Sequence, residues 1–119
     1  MSATEHSLAI ASTAAQAAFD KQASDIVLLD VSEHLVITDL FLICTAQNDR
    51  QVSAIVDAIE EVLDAKGIEP IRREGEREGR WVLLDYFDVV VHVQQAEERS
   101  LYDLERLWRD CPHIPLDLK

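Results

Sequence analysis

The sequence predicts an α/β sandwich: a mixed sheet of about five strands flanked by helices, in the order α-β-β-α-β-β-β-α. Three observations carry that expectation. Residues 48–66 repeat apolar side chains at helical spacing. Residues 25–31 and 35–45 are apolar runs rich in Val, Ile and Leu, with polar boundaries. Residues 81–84 and 89–93 are two more such runs separated by Asp85, Tyr86, Phe87 and Asp88, which reads as a hairpin. The 119 residues are read as one domain, with a core over about 7–109 and a tail over 110–119.

A first helix is expected over 7–23, where Leu8, Ala11, Ala15, Ala18 and Phe19 share a side. Its small residues make a shallow face suited to close packing. The run 25–31 reads as a buried strand, and Ser32, Glu33 and His34 as a turn. The segment 35–45 continues the sheet, with a bend at Thr38 and Asp39 before a strand from Leu40 to Cys44. Asn48 or Asp49 caps the central helix, Val52, Ile55, Val56, Ile59 and Leu63 form its apolar stripe, and Gly67 ends it. Residues 68–71 lead into a short strand that Pro70 places at an edge. A last helix is expected over 97–109, with Leu101, Leu104, Leu107 and Trp108 on one face and Ser100 with Asp103 as a capping box. Pro112 and Pro115 then break regular structure.

Composition narrows the function. Eleven basic against 23 acidic residues give a net charge of −12. Unless its basic residues gather on one face, such a chain is repelled by nucleic-acid backbones and attracted to basic protein partners; the alternative is that the acidity serves only solubility. Arg72, Arg73, Arg77 and Arg80 are the candidate RNA contacts, but Glu74, Glu76 and Glu78 interleave with them. A solvated, salt-bridged loop is the plainer reading, with RNA contact as a secondary role. The first residues carry Glu5 and no Lys or Arg, and no apolar run approaches a membrane span, so a cytoplasmic protein is expected. Cys44 and Cys111 stand far apart, which favours free thiols in a reducing compartment, with Cys44 buried in its strand.

Chemistry finds little support. His6, His34, His92 and His113 have no metal-ligand spacing, and His92 inside an apolar run reads as a hydrogen-bonded sheet histidine. No G-x-S-x-G elbow or phosphate-cradling glycine loop is present. The strand-end carboxylates Asp30, Asp39, Asp85 and Asp88 would suit a Mg²⁺-dependent nucleotidyltransferase, which is the alternative reading. The turns around Asp30 and Asp39 lack the glycines that a triphosphate site needs. The expectation is therefore a protein that is not an enzyme, with no metal, cofactor or small-molecule substrate. What remains is a protein-binding surface built from Trp81, Leu83, Asp85, Tyr86, Phe87 and Asp88, aromatic anchors beside carboxylates, the alternative being that the chain's own helices cover both faces of the hairpin.

At these residues the chain resembles the ribosomal silencing factor (Iojap) family. The likeness rests on Glu74-Gly75, the W-V-L-L-D run from Trp81, D-V-V-V-H-V from Asp88, Arg99 and L-Y-D-L-E-R-L-W from Leu101. Asp30-Val31, Ile37-Thr38-Asp39 and Arg50-Gln51-Val52 fit the same pattern, so that it spans roughly residues 10–109. The resemblance implies a nucleotidyltransferase-like fold without known catalytic activity. It also implies binding to the large ribosomal subunit through ribosomal protein number fourteen, which sterically prevents subunit joining when nutrients are scarce. Asp85 and Asp88 would then pair with Lys or Arg of the partner, with Trp81, Leu83 and Tyr86 in apolar contact. A homodimer through the exposed hairpin is a further expectation. Two departures stand out: Phe87 replaces a common glycine, which suggests an altered turn, and Thr45-Ala46-Gln47-Asn48 lacks the small Gly and Ser residues common there.

Overall fold

A computed structural model describes residues 3–119. The order is α1 (Glu5–Asp20), β1 (Ser24–Asp30), β2 (Leu40–Ala46), α2 (Asp49–Asp64), β3 (Arg72–Glu74), β4 (Trp81–Asp85), β5 (Val89–Gln95), α3 (Ala96–Tyr102), α4 (Leu104–Leu107) and β6 (His113–Ile114). The strands form one mixed six-stranded sheet, β3-β4-β5-β2-β1-β6. Only β2 and β5 run parallel, from Leu40↔Val89 to Ala46↔Gln95; the other neighbours are antiparallel. Both central strands are apolar along most of their length because the sheet is covered on both faces.

One face carries the larger core. Leu28, Leu40, Leu42, Cys44, Val82, Leu84, Val91 and Val93 meet α1 and α2 there. The stripe of α2 is buried as its periodicity predicts, and each such side chain contributes roughly 1.5–3 kcal/mol. Asn48 caps α2 by accepting from Gln51 N at 2.8 Å, and Gly67 ends it at φ 75° with its N–H on Asp64 O. Ala11, Ala14, Ala15, Ala17 and Ala18 of α1 are buried against α2 and the sheet, but Phe19, expected on that side, is 42% exposed. Cys44 is buried, and burial pushes its thiol up to about 12, which keeps it inert.

Residues 68–71 lead into the edge strand β3 as expected, with Ile71 N donating to Asp85 O just before its ladder begins. Three expectations need correction. The last helix is two short helices, because Asp103 turns left-handed at φ 43° and the proposed Ser100–Asp103 capping box does not form. Its expected apolar face is split as well: Leu104 is buried, while Leu101 and Leu107 are more than 70% exposed. The tail adds β6 beside β1, Asp30 N donates to Pro112 O, and Leu116 and Leu118 pack against the main core. Two prolines stop a helix without preventing two residues of edge pairing.

The N-terminus of α1 is fastened to the sheet by carboxylates. Asp39 Oδ2 accepts from Ser7 Oγ at 2.8 Å and Thr4 N at 3.2 Å, while Asp30 Oδ2 accepts from Ala3 N at 3.1 Å. Negative charge at a helix N-terminus is favourable in itself. Asp39→Ala should lower stability by about 1–2 kcal/mol. Thermal unfolding checks this, and an unchanged midpoint would show that the clamp contributes nothing.

Candidate docking surface

Alternation along β4 sends Val82 and Leu84 into the helix-covered core and leaves Trp81, Leu83 and Asp85 on the other face. That face is only partly covered. Arg99 of α3 holds the cover down: its guanidinium donates to Thr45 Oγ1 at 2.8 Å and pairs with Glu105 at 2.8 Å. Beneath the cover runs a chain of rings. Trp108 meets Phe41 at 5.4 Å, Phe41 meets His92 at 5.0 Å, His92 meets Trp81 at 6.0 Å, and Trp81 meets Tyr102 at 4.8 Å. Trp81 and Leu83 remain half-buried, Tyr102 of α3 stands exposed against Trp81, and Leu101 and Leu107 are exposed on α3 and α4. Trp81, Leu83 and Tyr102 form an apolar patch that α3 covers only in part.

Gly75 makes room for this arrangement. It sits at φ 85°, and a Cβ there would lie 1.9 Å from Trp81 O, so the turn before β4 closes only over glycine. Under the patch, Trp81 Nε1 donates to His92 Nδ1 at 3.2 Å, which leaves the imidazole proton on Nε2. Burial lowers His92 to about 4, so the ring is neutral at ordinary pH. The sheet-histidine reading therefore holds.

The six expected binding residues do not share one surface. Trp81 and Leu83 lie on the patch. Tyr86 is a correction: it is 5% exposed, belongs to the helix-side core, and burial beside Glu60 raises its hydroxyl to about 12. Asp85 organises the turn, with Oδ1 accepting from Phe87 N at 2.9 Å and Oδ2 lying 3.7 Å from Arg72. Phe87 and Asp88 sit at the sheet end. Phe87 adopts a left-handed backbone at φ 75°, and the ring is 52% exposed. Tyr102 and Leu101 are the additions; helical spacing alone pointed Leu101 inward, and only the break at Asp103 turns it out.

The arginines are mostly paired. Arg72 meets Glu74 and Asp85, Arg73 meets Glu60 and Glu76, and Arg80 meets Glu97 and Glu98. Arg77 lines a shallow cleft with Asp49, Arg50 and Glu76. The four strand-end carboxylates do gather at one sheet end, but Asp30 and Asp39 hold the start of α1 and Asp85 holds its own turn. Among the described residues, no three His, Cys, Asp or Glu side chains converge to hold a metal.

The fold and this surface define an acidic α+β protein with a partly open aromatic patch on one sheet face. The chain belongs to the family described as "Ribosomal silencing factor during starvation", which matches residues 4–119 and so extends through the tail. It is 48% identical over 104 residues to the ribosomal silencing factor of Bacillus subtilis (strain 168), covering 87% of this chain and 88% of that protein. A crystal structure of a Chromobacterium violaceum protein superposes with a TM-score of 0.83 at 34% identity, covering 86% of this chain and 85% of the other. One from Bacillus halodurans gives a TM-score of 0.80 at 39% identity, covering 95% and 100%. Among the described residues, no helix is long and apolar enough to cross a membrane.

The histidine beneath the patch sets a pH dependence. The unfolded chain takes up a proton near pH 6.5, whereas folded His92 refuses it down to about 4. Stability should therefore fall as pH drops through that window, by roughly 3 kcal/mol. In urea titrations at pH 7 and pH 4, His92→Gln should lose this share of the pH dependence; an identical dependence in both proteins would refute it.

Proposed function

We propose that this protein binds the large ribosomal subunit through ribosomal protein number fourteen and sterically blocks joining of the small subunit, repressing cytoplasmic translation under nutrient limitation. Family membership supports the ribosomal setting. The observation that carries the surface is the tilted Trp81–Tyr102 ring contact, partly open on the sheet face opposite the one that α1 and α2 seal. Aromatic residues at the centre of an apolar patch are what protein interfaces use as anchors, and a −12 chain suits a basic ribosomal protein. The action requires no bond to be made or broken: a bound domain occupies space that the other subunit needs. Most arginines being paired, RNA contact falls to Arg77 in a minor role. A homodimer across the same face would compete with the ribosome for it.

Pelleting with purified large subunits, alongside a sedimentation profile of subunit joining, tests the reading. The wild-type protein should co-pellet at physiological salt and keep subunits apart. Trp81→Ala should weaken binding by about 2 kcal/mol or more, close to thirtyfold, and restore joining. Wild-type behaviour from that variant would place the interface elsewhere.

A further inference from the structure

We infer that the groove between α2 and the segment leading into β3 binds a linear polyamine, a chain of ammonium groups separated by three or four methylenes. Helix α2 packs on the sheet face opposite the aromatic patch, so this site is independent of the function proposed above. The groove encloses about 420 Å³. Five carboxylates line it, from Asp57, Glu60, Glu61 and Asp64 of α2 and from Glu69, against one guanidinium, that of Arg73. Arg73 is already engaged by Glu60 and Glu76. Among the described residues, Asp57, Glu61, Asp64 and Glu69 have no ion-pair partner. This charge is unfavourable where it stands. Carboxylates three and four residues apart on a helix repel one another, and the last turn of α2 holds no basic residue to offset its dipole. Burial, with the fields of Glu76 and Asp57, pushes the Glu60 carboxyl up against the pull of Arg73.

A separate observation points to a ligand. Tyr86 is 5% exposed, and its hydroxyl finds no hydrogen-bond partner among the described residues. The hydroxyl is held beside Glu60 and Arg73, whose charges both act on it, and both of those side chains line the groove. The phenol therefore reaches the groove from the core side. A buried hydroxyl left without a partner costs stability, and a bound donor removes that cost. An ammonium group carries several N–H donors and no acceptor, so it can satisfy the phenol oxygen and the carboxylates together.

Spacing selects an extended cation. Asp57, then Glu60 and Glu61, then Asp64 follow one another at one-turn intervals along α2, over roughly 10 Å of helix. Three or four methylenes set the nitrogens of a polyamine about one helical turn apart, so successive ammonium groups meet successive carboxylates. Between them the methylenes lie along Ile68 and Pro70, the apolar part of the lining. A point cation fits less well, because among the described residues no three carboxylates converge to hold a metal.

Titration of the full chain with spermidine at constant ionic strength, followed by calorimetry and by the thermal midpoint, tests this. Spermidine should bind at a single site and raise the midpoint, and Mg²⁺ at matched ionic strength should raise it less. The groove pair Glu61→Gln, Asp64→Asn should weaken binding about tenfold or more. Its midpoint without spermidine should stay at or above that of the wild type, because a like-charge repulsion is removed. Tyr86→Phe should weaken binding about threefold or more, again without lowering the unliganded midpoint. The pair Glu97→Gln, Asp110→Asn changes the charge equally outside the groove and should bind as the wild type does. Equal loss in both pairs, or an equal response to Mg²⁺, would show diffuse screening of the −12 chain and overturn the site. Wild-type affinity in Tyr86→Phe or in the groove pair would overturn it too. Spermidine without effect, with a Lys-rich peptide that binds the wild type but not the groove pair, would show that the groove takes a protein segment and overturn the inference.

Discussion

The parallel pairing of β2 with β5 is the constraint on which the rest depends. It joins two parts of the chain separated by α2, β3 and β4, and it continues over seven residue pairs from Leu40↔Val89 to Ala46↔Gln95. Parallel neighbours require a crossover, and α2 supplies it by packing its stripe over the sheet. Because β5 is fixed this way, the antiparallel β4 must lie on its outer side, and Trp81, Leu83 and Asp85 must face away from α1 and α2. The same register sets Asp88 O against the N–H groups of Asp39 and Leu40, which brings the connection before β2 to the hairpin turn. The placement of the aromatic patch and of the hairpin turn thus follows from one strand register.

The two faces of the sheet are finished differently. The α1–α2 side is closed by alanines and branched aliphatics together with Tyr86, whose buried hydroxyl finds no hydrogen-bond partner among the described residues. The other side is closed by short helices, and beneath them His92 Nε2 and the amide of Gln94 are buried and likewise find none among the described residues. Buried polar groups without partners cost stability on either face.

Acidity is distributed unevenly in its effects. The carboxylates of the segment before β4 neutralise its arginines, those of Asp30 and Asp39 hold α1, and that of Asp85 shapes a turn. Exposed pairs of this kind contribute little to stability but remove the positive charge that would attract RNA. The net excess of acid therefore acts as a long-range negative field, which favours approach by a basic surface over an RNA backbone.

Strand and helix identities were legible in the residues themselves. Alternation in β4, the continuous apolar runs of β2 and β5 and the stripe of α2 reflect burial periods that any fold must satisfy. The motifs around Trp81 and Asp88 likewise carried the family, which the match over 4–119 establishes. Tertiary structure decided what local pattern leaves undetermined. It buried Tyr86, where the hairpin turn alone offered no side, and it turned Leu101 outward by a left-handed break at Asp103 that helical spacing does not register. It drew the tail into the sheet, because two residues of edge pairing need a neighbour supplied from far along the chain. Period two and period 3.6 say which residues share a face; only the packed sheet says which face is already covered, and so which one a partner can reach.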